Sequence, residues 1–383
     1  MSPKEDDRVP RPKRWREHSE ESNFFGQDRK SEKYARKLAS AKDRSKYKKT
    51  DLRKQSKSKE IKSINEELER GRVLSIASQG IFVDVRGEIV TCTLRGVLKK
   101  DKTLAKNLIV VGDFVRFERT SAGEGLIEHI EPRRSLLSRA ENLSRKKEQL
   151  IAANIDQVLI TVSVALPALK PSLVDRYIIA AQKGDMEPII VINKIDLLES
   201  EDEDKATLEQ ERALYGEMLK AYQIAGIPVI SVSTKTGQGI DLLKEAMKDK
   251  VSVFSGQSGV GKSSLINTMT GHELRVGELV EKTQKGSHTT TTAHLIPLEF
   301  GGWCIDTPGI KSFGVWNLDK EEVEHHFPEI FTCGHQCRFP DCSHTGEEEC
   351  AVIDAVEKGK ISPLRYESYC ALMQSISRDH FRR

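Results

Sequence analysis

The clearest chemical feature of the chain is a phosphate-binding loop. The stretch SGQSGVGKSSLIN matches the pattern G-x-x-x-x-G-K-[ST], follows the strand-like run VSVF and opens a helical segment. In such a loop backbone N–H groups turn towards phosphate, the lysine reaches the terminal phosphates and the next hydroxyl binds Mg²⁺. The predicted contacts are Gly256, Gln257, Ser258, Gly259, Val260, Gly261, Lys262, Ser263 and Ser264, with Ser263 on magnesium.

The tetrad NKID, residues 193–196, would recognise the base. Guanine presents two donors, N1–H and the 2-amino group, so a carboxylate that accepts from both suits guanine rather than adenine, and Asp196 is that carboxylate. A site built on such bonds rejects an analogue lacking them by several orders of magnitude. We expect Asn193 to brace the loop and touch the base and the Lys194 stem to cover its face. Backbone N–H groups after the next strand would meet guanine O6, at Ser233, Thr234 and Lys235.

The order of these motifs is unusual, because NKID precedes the phosphate loop, whereas it follows that loop in most guanine-nucleotide switches. A DTPG motif comes later, where Asp306 ends the strand WCID and would hold a magnesium-bound water, and the Gly309 N–H would meet the γ-phosphate. A domain whose ancestral ends were joined, and which was reopened between DTPG and NKID, would keep the same site in three dimensions. We therefore interpret the order as a circular permutation.

Hydrolysis needs a group that orients the attacking water. Many GTPases carry glutamine just after a DTPG-type motif, but here that position is Ile310, which cannot orient water. His288, in the segment KGSHTTTTAHL, is the nearest candidate in sequence, and an RNA or protein partner could also complete the site. Within the same segment we favour Thr290 as the hydroxyl that contacts magnesium, with Thr291 as the next candidate.

The cysteines are concentrated near the C-terminus. Of seven in the chain, four lie between Cys333 and Cys350. In a reducing compartment such clustering favours a metal over disulfides. A structural zinc site takes four nitrogen or sulfur ligands. Spacing alone leaves the set open among Cys333, His335, Cys337, Cys342, His344 and Cys350.

Two regions with different secondary-structure patterns would position these residues. From Gly71, the sequence contains five short runs in which apolar and polar residues alternate. This pattern predicts a small closed barrel, either of the oligonucleotide-binding type or SH3-like. The runs are GRVLSI, GIFVDVRG, EIVTCTLRG, LIVVGDFVRFE and GLIEHIEPR. We interpret SRAENLSRKKEQ as a basic connector. Beyond it, strands alternate with helices, which predicts a mainly parallel sheet covered on both faces.

Charge is distributed unevenly along the 383 residues, whose net charge is +3. Residues 29–59 hold fourteen Lys or Arg against three acidic residues, which leaves the rest of the chain acidic. Such an arm is either a solvating tail or a partner for phosphate-rich RNA. The chain has no apolar run of membrane-spanning length, so we expect a cytoplasmic protein with no membrane partner.

Several stretches together resemble the circularly permuted GTPases of small-ribosomal-subunit biogenesis, the RsgA or YjeQ family, over about residues 71–375. They are IAANIDQVLI, DRYIIAAQKGD, NKIDLL, GQSGVGKSSLIN, KGSHTTTTAHL, DTPGIKSFG and CRFPDCSHTGEEECAV, in this order. The resemblance implies a multidomain fold: an OB-type β-barrel (69–137), a permuted α/β P-loop GTPase domain (145–315) and a mainly helical zinc-binding domain (316–383). The basic disordered arm (1–68) is predicted from its polar, charged composition instead, and it is longer than the usual leader of the family. The resemblance also implies that His288 orients the water, and that the zinc ligands are Cys337, Cys342, His344 and Cys350, with Cys333 spare.

The function implied by the resemblance is slow GTP hydrolysis, stimulated by the small (30S) subunit during its late maturation. The barrel and the zinc domain would contact rRNA, the cofactors would be one structural Zn²⁺ and the Mg²⁺ that accompanies GTP or GDP, and the chain would be a monomer. Two rivals remain. The first is a GTPase that acts on another ribonucleoprotein, and the second is a non-catalytic RNA-binding scaffold that only responds to GTP.

Overall fold

The computed structural model describes residues 68–96, 108–141, 144–199, 204–271, 293–306 and 320–380. All of them belong to one compact unit, Glu67–Arg383. The predicted basic arm lies outside the described residues, apart from residue 68. The predicted domain limits therefore stay predictions.

Five strands close the N-terminal barrel. They are β1 (Glu69–Ala77), β2 (Gly80–Val85), β3 (Glu88–Leu94), β4 (Phe114–Ser121) and β5 (Glu124–Ile130), in the order β1-β2-β3-β5-β4. Alternate residues point inwards, so Val73, Val83, Val90, Val115 and Phe117 are completely buried. β3 and β5 run parallel and the other pairs antiparallel. This arrangement confirms the predicted barrel of the oligonucleotide-binding type.

The segment that follows the barrel is a β-hairpin, and its prediction as a connector was wrong. β6 (Leu136–Glu141) pairs antiparallel with β7 (Ser144–Ala153). At the base of the hairpin, Leu137, Leu150, Ala152 and Ala153 are buried. Charged residues near its turn hide the alternation that would have identified two strands. At the base of the hairpin, the Ala153 N–H donates to the carbonyl of Val111, just before β4, at 2.9 Å. This bond joins the hairpin to the barrel.

A six-stranded sheet forms the centre of the molecule, in the order β10-β9-β8-β11-β13-β12. Its strands are β8 (Gln157–Ser163), β9 (Glu187–Asn193), β10 (Val229–Ser231), β11 (Val251–Gly256), β12 (His294–Pro297) and β13 (Trp303–Asp306). All neighbours are parallel except β12, which lies antiparallel at the edge. Every residue of β8 and β11 is buried, as expected for strands covered on both faces.

Among the described residues, four helices cover the two faces of this sheet. α1 (Pro171–Lys183) and α2 (Lys205–Ile224) contribute to one apolar core, and α3 (Ile240–Met247) and α4 (Lys262–Thr270) to the other. Neighbouring residues of β8 point to opposite sides, since Val158 and Ile160 join the first core and Leu159 joins the second. The mainly parallel, doubly covered sheet is therefore confirmed.

The described C-terminal region is helical, as predicted. It contains α5 (Lys320–His325), α6 (Pro328–Gly334), α7 (Ala351–Glu357) and α8 (Pro363–His380). Phe327, Ile330, Val352 and Tyr369 form its core, and Ile179 of α1 joins them, so this region packs on the sheet domain through α1. Among the described residues, every helix is too short or too polar to span a bilayer.

Candidate functional site

Four parallel strands end at one edge of the sheet, and the predicted nucleotide residues follow them. Asn193, Gly256 and Asp306 are the last residues of β9, β11 and β13, and Ser233 lies two residues beyond β10. Because the carboxyl ends of parallel strands meet at the same edge, motifs far apart in sequence converge there. We call this region the nucleotide edge.

Asn193 and Lys194 bond directly to the phosphate loop. The buried Asn193 donates from Nδ2 to the Val260 carbonyl at 2.9 Å. Lys194 Nζ donates to the Gly259 carbonyl at 2.8 Å and also to the Leu166 carbonyl. The first half of NKID and the phosphate loop therefore form one unit, although 65 residues separate Lys194 from Gly259.

Asp196 is oriented by Ser233. The Ser233 hydroxyl donates to Asp196 Oδ1 at 2.6 Å and accepts from the backbone N–H groups of Lys235 and Thr236, both at 3.2 Å. Ser233 is completely buried, whereas Asp196 is partly exposed. Thr234 is partly buried and Lys235 exposed in the same turn. We predicted a backbone role for Ser233, and the structure adds a side-chain role, because its hydroxyl ties the carboxylate to the STK turn.

Two glycines allow the phosphate loop its close approach to its neighbours. At Gly256, with φ of 141°, a Cβ would lie 2.0 Å from the Thr161 carbonyl oxygen. At Gly261, with φ of 94°, a Cβ would lie 2.3 Å from Asn193 Nδ2. Both positions therefore require glycine.

Lys262 spans the loop from the first turn of α4. Its Nζ donates to the carbonyls of Gly256 at 2.8 Å and Gln257 at 2.7 Å, and burial lowers the pKa of its ammonium group. Gly259 and the hydroxyl-bearing residues Ser258, Ser263 and Ser264 are exposed on the rim, while Val260 is buried beneath it. The loop thus presents polar groups outwards around a fixed cation, which suits a polyphosphate.

Asp306 lies opposite His294 in the antiparallel pair of β13 and β12. Directly opposed residues share one face of a sheet. Cys304, two residues before Asp306, packs in the core beneath α4, so Asp306 is on the side of the phosphate-loop helix. Burial lowers the pKa of His294, and the Asp306 carboxylate partly offsets this effect. His294 was not predicted, because only strand register brings it to Asp306.

The remaining predicted residues of this site are His288, Thr290, the alternative Thr291, Gly309 and Ile310. They lie outside the described residues, so their roles stay predictions.

A second site is formed by Cys337, Cys342, His344 and Cys350, whose ligand atoms all lie within 4.8 Å of one another. His344 Nδ1 is 3.4 Å from Cys337 Sγ and 3.5 Å from Cys350 Sγ, and these two sulfurs are 3.8 Å apart. Around a tetrahedral zinc, Zn–S bonds of about 2.3 Å and Zn–N bonds of about 2.0 Å separate sulfur pairs by about 3.8 Å and sulfur–nitrogen pairs by about 3.5 Å. The Cys/His cluster therefore fits a zinc ion, and Cys333 is not part of it.

A carboxylate orients the histidine of the cluster. Glu324 Oε1 of α5 lies 3.4 Å from His344 Nε2, on the far side of the ring from the sulfurs. Gly334 makes room for this contact, because a Cβ there would lie 2.5 Å from Glu324 Oε1 and 2.9 Å from His344 Nε2. Carboxylates in this position fix the orientation of ligating histidines. Glu324 was not predicted, because it lies on α5 and precedes the segment that contains the four ligands.

The loop that carries His344 is held by two tyrosines of α8 and by a carboxylate of the loop itself. Tyr366 and Tyr369 donate through their hydroxyls to the carbonyls of His344 and Ser343, at 3.0 and 3.1 Å. Glu347 accepts from the backbone N–H groups of Ser343 and Thr345, each at 2.8 Å. Burial alone would raise the pKa of Glu347, but these bonds and the Ser343 hydroxyl lower it to about 2.

Comparisons with known proteins agree with this geometry. The sequence profile of the RsgA GTPase matches residues 130–316, and that of the RsgA N-terminal domain matches residues 70–127. Small ribosomal subunit biogenesis GTPase RsgA of Thermotoga maritima is 38% identical over 311 residues, which cover 80% of this chain and 96% of that protein. The protein of the same name from Chlorobaculum parvum is 42% identical over 279 residues, covering 70% and 86%.

Solved structures give the same result. The crystal structure of YjeQ from Thermotoga maritima is similar with a TM-score of 0.63 and 35% identity, covering 80% of this chain and 98% of that one. The structure of YloQ, a circularly permuted GTPase, has a TM-score of 0.61 and 28% identity, covering 82% and 96%. The chain therefore belongs to the RsgA GTPase family, and its central domain is a circularly permuted GTPase.

Proposed function

We propose that this chain hydrolyses GTP in the biogenesis of the small ribosomal subunit. The observation that carries the proposal is the direct bonding of Asn193 and Lys194 to the phosphate loop, because it joins a guanine-reading motif to a phosphate-reading one. The relatives named small ribosomal subunit biogenesis GTPase match over most of their length, which supports the same biological setting.

In the proposed complex the NKID and STK segments bind the guanine base, and the phosphate loop binds the phosphates. Asp196, held by Ser233, accepts from guanine N1–H and the 2-amino group, while the turn at Thr234 and Lys235 offers N–H groups to O6. Backbone N–H groups of the phosphate loop bind the α- and β-phosphates. Lys262 exchanges its carbonyl partners for the β- and γ-phosphates, and the displacement is favourable because each new bond is between opposite charges.

Magnesium would be held by Ser263 and Thr290, with Asp306 on a metal-bound water. When bound, the ion neutralises charge that develops on the phosphate oxygens. Gly309 would sense the γ-phosphate through its N–H group. His288 would orient the attacking water, a task that Ile310 cannot perform.

The Cys/His cluster is proposed to hold one zinc with a structural role. Its four protein ligands complete a tetrahedron without an open position for substrate. We further propose that the barrel and this region contact rRNA, and that the protein is a cytoplasmic monomer.

The decisive experiment is GTP hydrolysis with and without purified small ribosomal subunits. We expect stimulation by the small subunit and not by the large one, and His288→Ala should keep GTP affinity while losing the stimulated rate. Stimulation only by another ribonucleoprotein would favour the first rival function. Intact GTP binding without stimulated hydrolysis by any partner would favour the scaffold. An unchanged stimulated rate in His288→Ala would remove His288 from catalysis.

A further inference from the structure

A buried network of charged and polar side chains, which includes none of the site residues described above, joins the sheet domain to the C-terminal helices. Asp175 of α1 and Arg365 of α8 are 0% and 1% exposed and form an ion pair through Asp175 Oδ1 and Arg365 Nη1. Arg365 Nε also donates to Glu329 Oε1 of α6 at 2.7 Å. One guanidinium thus bonds carboxylates on both sides of the junction, and its rigid planar fork fixes their directions more firmly than the flexible ammonium group of a lysine would.

Aromatic groups enclose this arginine. Its guanidinium carbon lies 4.2 Å from the ring centre of Phe327 and 5.4 Å from that of Tyr222 in α2. The Tyr222 hydroxyl is 3.0 Å from Asp175 Oδ1, so the carboxylate is held from two helices. Charges buried this deeply are held in one geometry, because losing a partner leaves the other uncompensated.

α1 also leads directly to the nucleotide edge. Residues 164–170, which connect β8 to α1, contact both halves of the nucleotide edge. The Leu166 carbonyl accepts from Lys194 Nζ, and the Val164 N–H donates to the Asn193 carbonyl at 3.2 Å. On the other side, Pro167 Cδ lies 3.5 Å from where a Cβ of Gly259 would be. We call residues 164–170 the wedge loop.

We propose that Arg365 is a positioning residue for the nucleotide site. By fixing α1 through Asp175, it holds the wedge loop against Lys194 and the phosphate loop, and so links the C-terminal helices to nucleotide retention. This inference rests on the proposed guanine-nucleotide site. The link is independent of residues 307–319, which join the two regions along the chain. Because coupling between sites is reciprocal, bound nucleotide also stabilises the docking of the Cys/His region.

The test measures the release rate of a fluorescent GDP derivative from the full chain. Arg365→Met should accelerate release by about tenfold, a typical size for coupling between sites. Arg365→Lys, which keeps the charge but loses the fork, should fall between Met and the native arginine. The matched control is Glu322→Gln, which breaks the exposed Lys183–Glu322 pair (2.8 Å) at the other end of α1. It should leave GDP release unchanged within about twofold.

Two further measurements separate positioning from general loosening of the fold. Lys194→Met should itself accelerate release, and its combination with Arg365→Met should do so by less than the product of the single effects, because both act through the wedge loop. GDP should slow the transfer of zinc to a chromogenic chelator in the native chain and should have no effect on it in Arg365→Met.

The proposal is overturned if folded Arg365→Met releases GDP at the native rate, whatever its unfolding temperature and zinc content. If Arg365→Met does not fold, GDP release is measured in Arg365→Lys instead. Release at the native rate in Arg365→Lys would then overturn the proposal. Failure of the native chain to bind GDP would instead refute the proposed function.

Discussion

The Cys/His cluster and the nucleotide edge are assembled in opposite ways. The cluster draws its four ligands from residues 337–350, whereas the nucleotide edge joins residues from Asn193 to Asp306. At the nucleotide edge, the sheet and the bonds from Asn193, Lys194 and Ser233 hold the side chains in place. At the cluster, Tyr366 and Tyr369 hold the loop of His344, but the four ligand atoms converge within 4.8 Å of one another, an arrangement that a bound metal ion would stabilise. Changes at the cluster should therefore alter folding, and changes at the nucleotide edge should alter binding.

The largest effect is expected for Cys350→Ser. A structural zinc contributes about 10–16 kcal/mol to folding in small domains. Loss of one thiolate ligand should therefore unfold helices α5 to α8. Zinc content should fall to zero and hydrogen exchange in these helices should rise, while the six-stranded sheet stays protected. Cys333→Ser, outside the cluster, is the matched control and should keep its zinc. Native protection in Cys350→Ser without zinc would contradict a structural metal.

This difference also explains what could be predicted from sequence. The cluster lies within one short stretch, and the phosphate loop and NKID are motifs with fixed local spacing. The barrel strands and the doubly covered sheet followed from periodicity, because each buried face repeats along its own segment. In these parts the information is local, and the sequence carries it.

Several individual contacts between distant segments were not predicted. His294 meets Asp306 only through strand register, and Glu324 meets His344 only because Gly334 lets α5 approach. The pairing of Asp175 with Arg365 spans 190 residues and depends on how α8 docks. No periodicity or spacing identifies such partners, since each depends on the completed tertiary structure.

At the nucleotide edge, Asp196→Asn should have the strongest effect. The amide cannot accept two bonds from guanine with the strength of a carboxylate, so GDP affinity should fall by about 10⁴-fold. The amide can donate to the 2-oxo group of xanthine, so xanthosine diphosphate should bind better than to the native chain. Titration with both nucleotides checks this, and the unfolding temperature should not change. Native GDP affinity in the variant would exclude Asp196 from base recognition.

Lys262→Ala should reduce GTP affinity by about 10²- to 10³-fold, as expected when one partner of a desolvated charge pair is lost. The fold should persist, although the loop loses the two bonds that Lys262 makes to its carbonyls. Equilibrium binding of GTP checks the prediction, with Lys244→Ala on α3 as the control. Unfolding of the sheet in Lys262→Ala would break the contrast between the two sites, because a binding residue would then be supporting the fold.

Glu324→Ala should lower zinc affinity by about 10- to 100-fold, the usual cost of losing a carboxylate behind a ligating histidine. Competition with a chelator of known affinity measures the change, and Glu324→Gln should recover part of it because its amide oxygen still accepts from the ring. The exposed Glu348→Ala is the control. Unchanged zinc affinity in Glu324→Ala would mean that the 3.4 Å contact does not orient His344.

The smallest effect is expected for Ser233→Ala. Its hydroxyl touches Asp196 and the N–H groups of Lys235 and Thr236, and one such bond contributes about 1 kcal/mol net, or roughly fivefold in GDP affinity. Water can replace the hydroxyl beside the partly exposed Asp196, which keeps the loss small. The preference for guanine over xanthine should be retained, because the carboxylate remains. A loss as large as that of Asp196→Asn would mean that Ser233 contacts the base directly, and the division between residues that read the nucleotide and residues that position them would have to be redrawn.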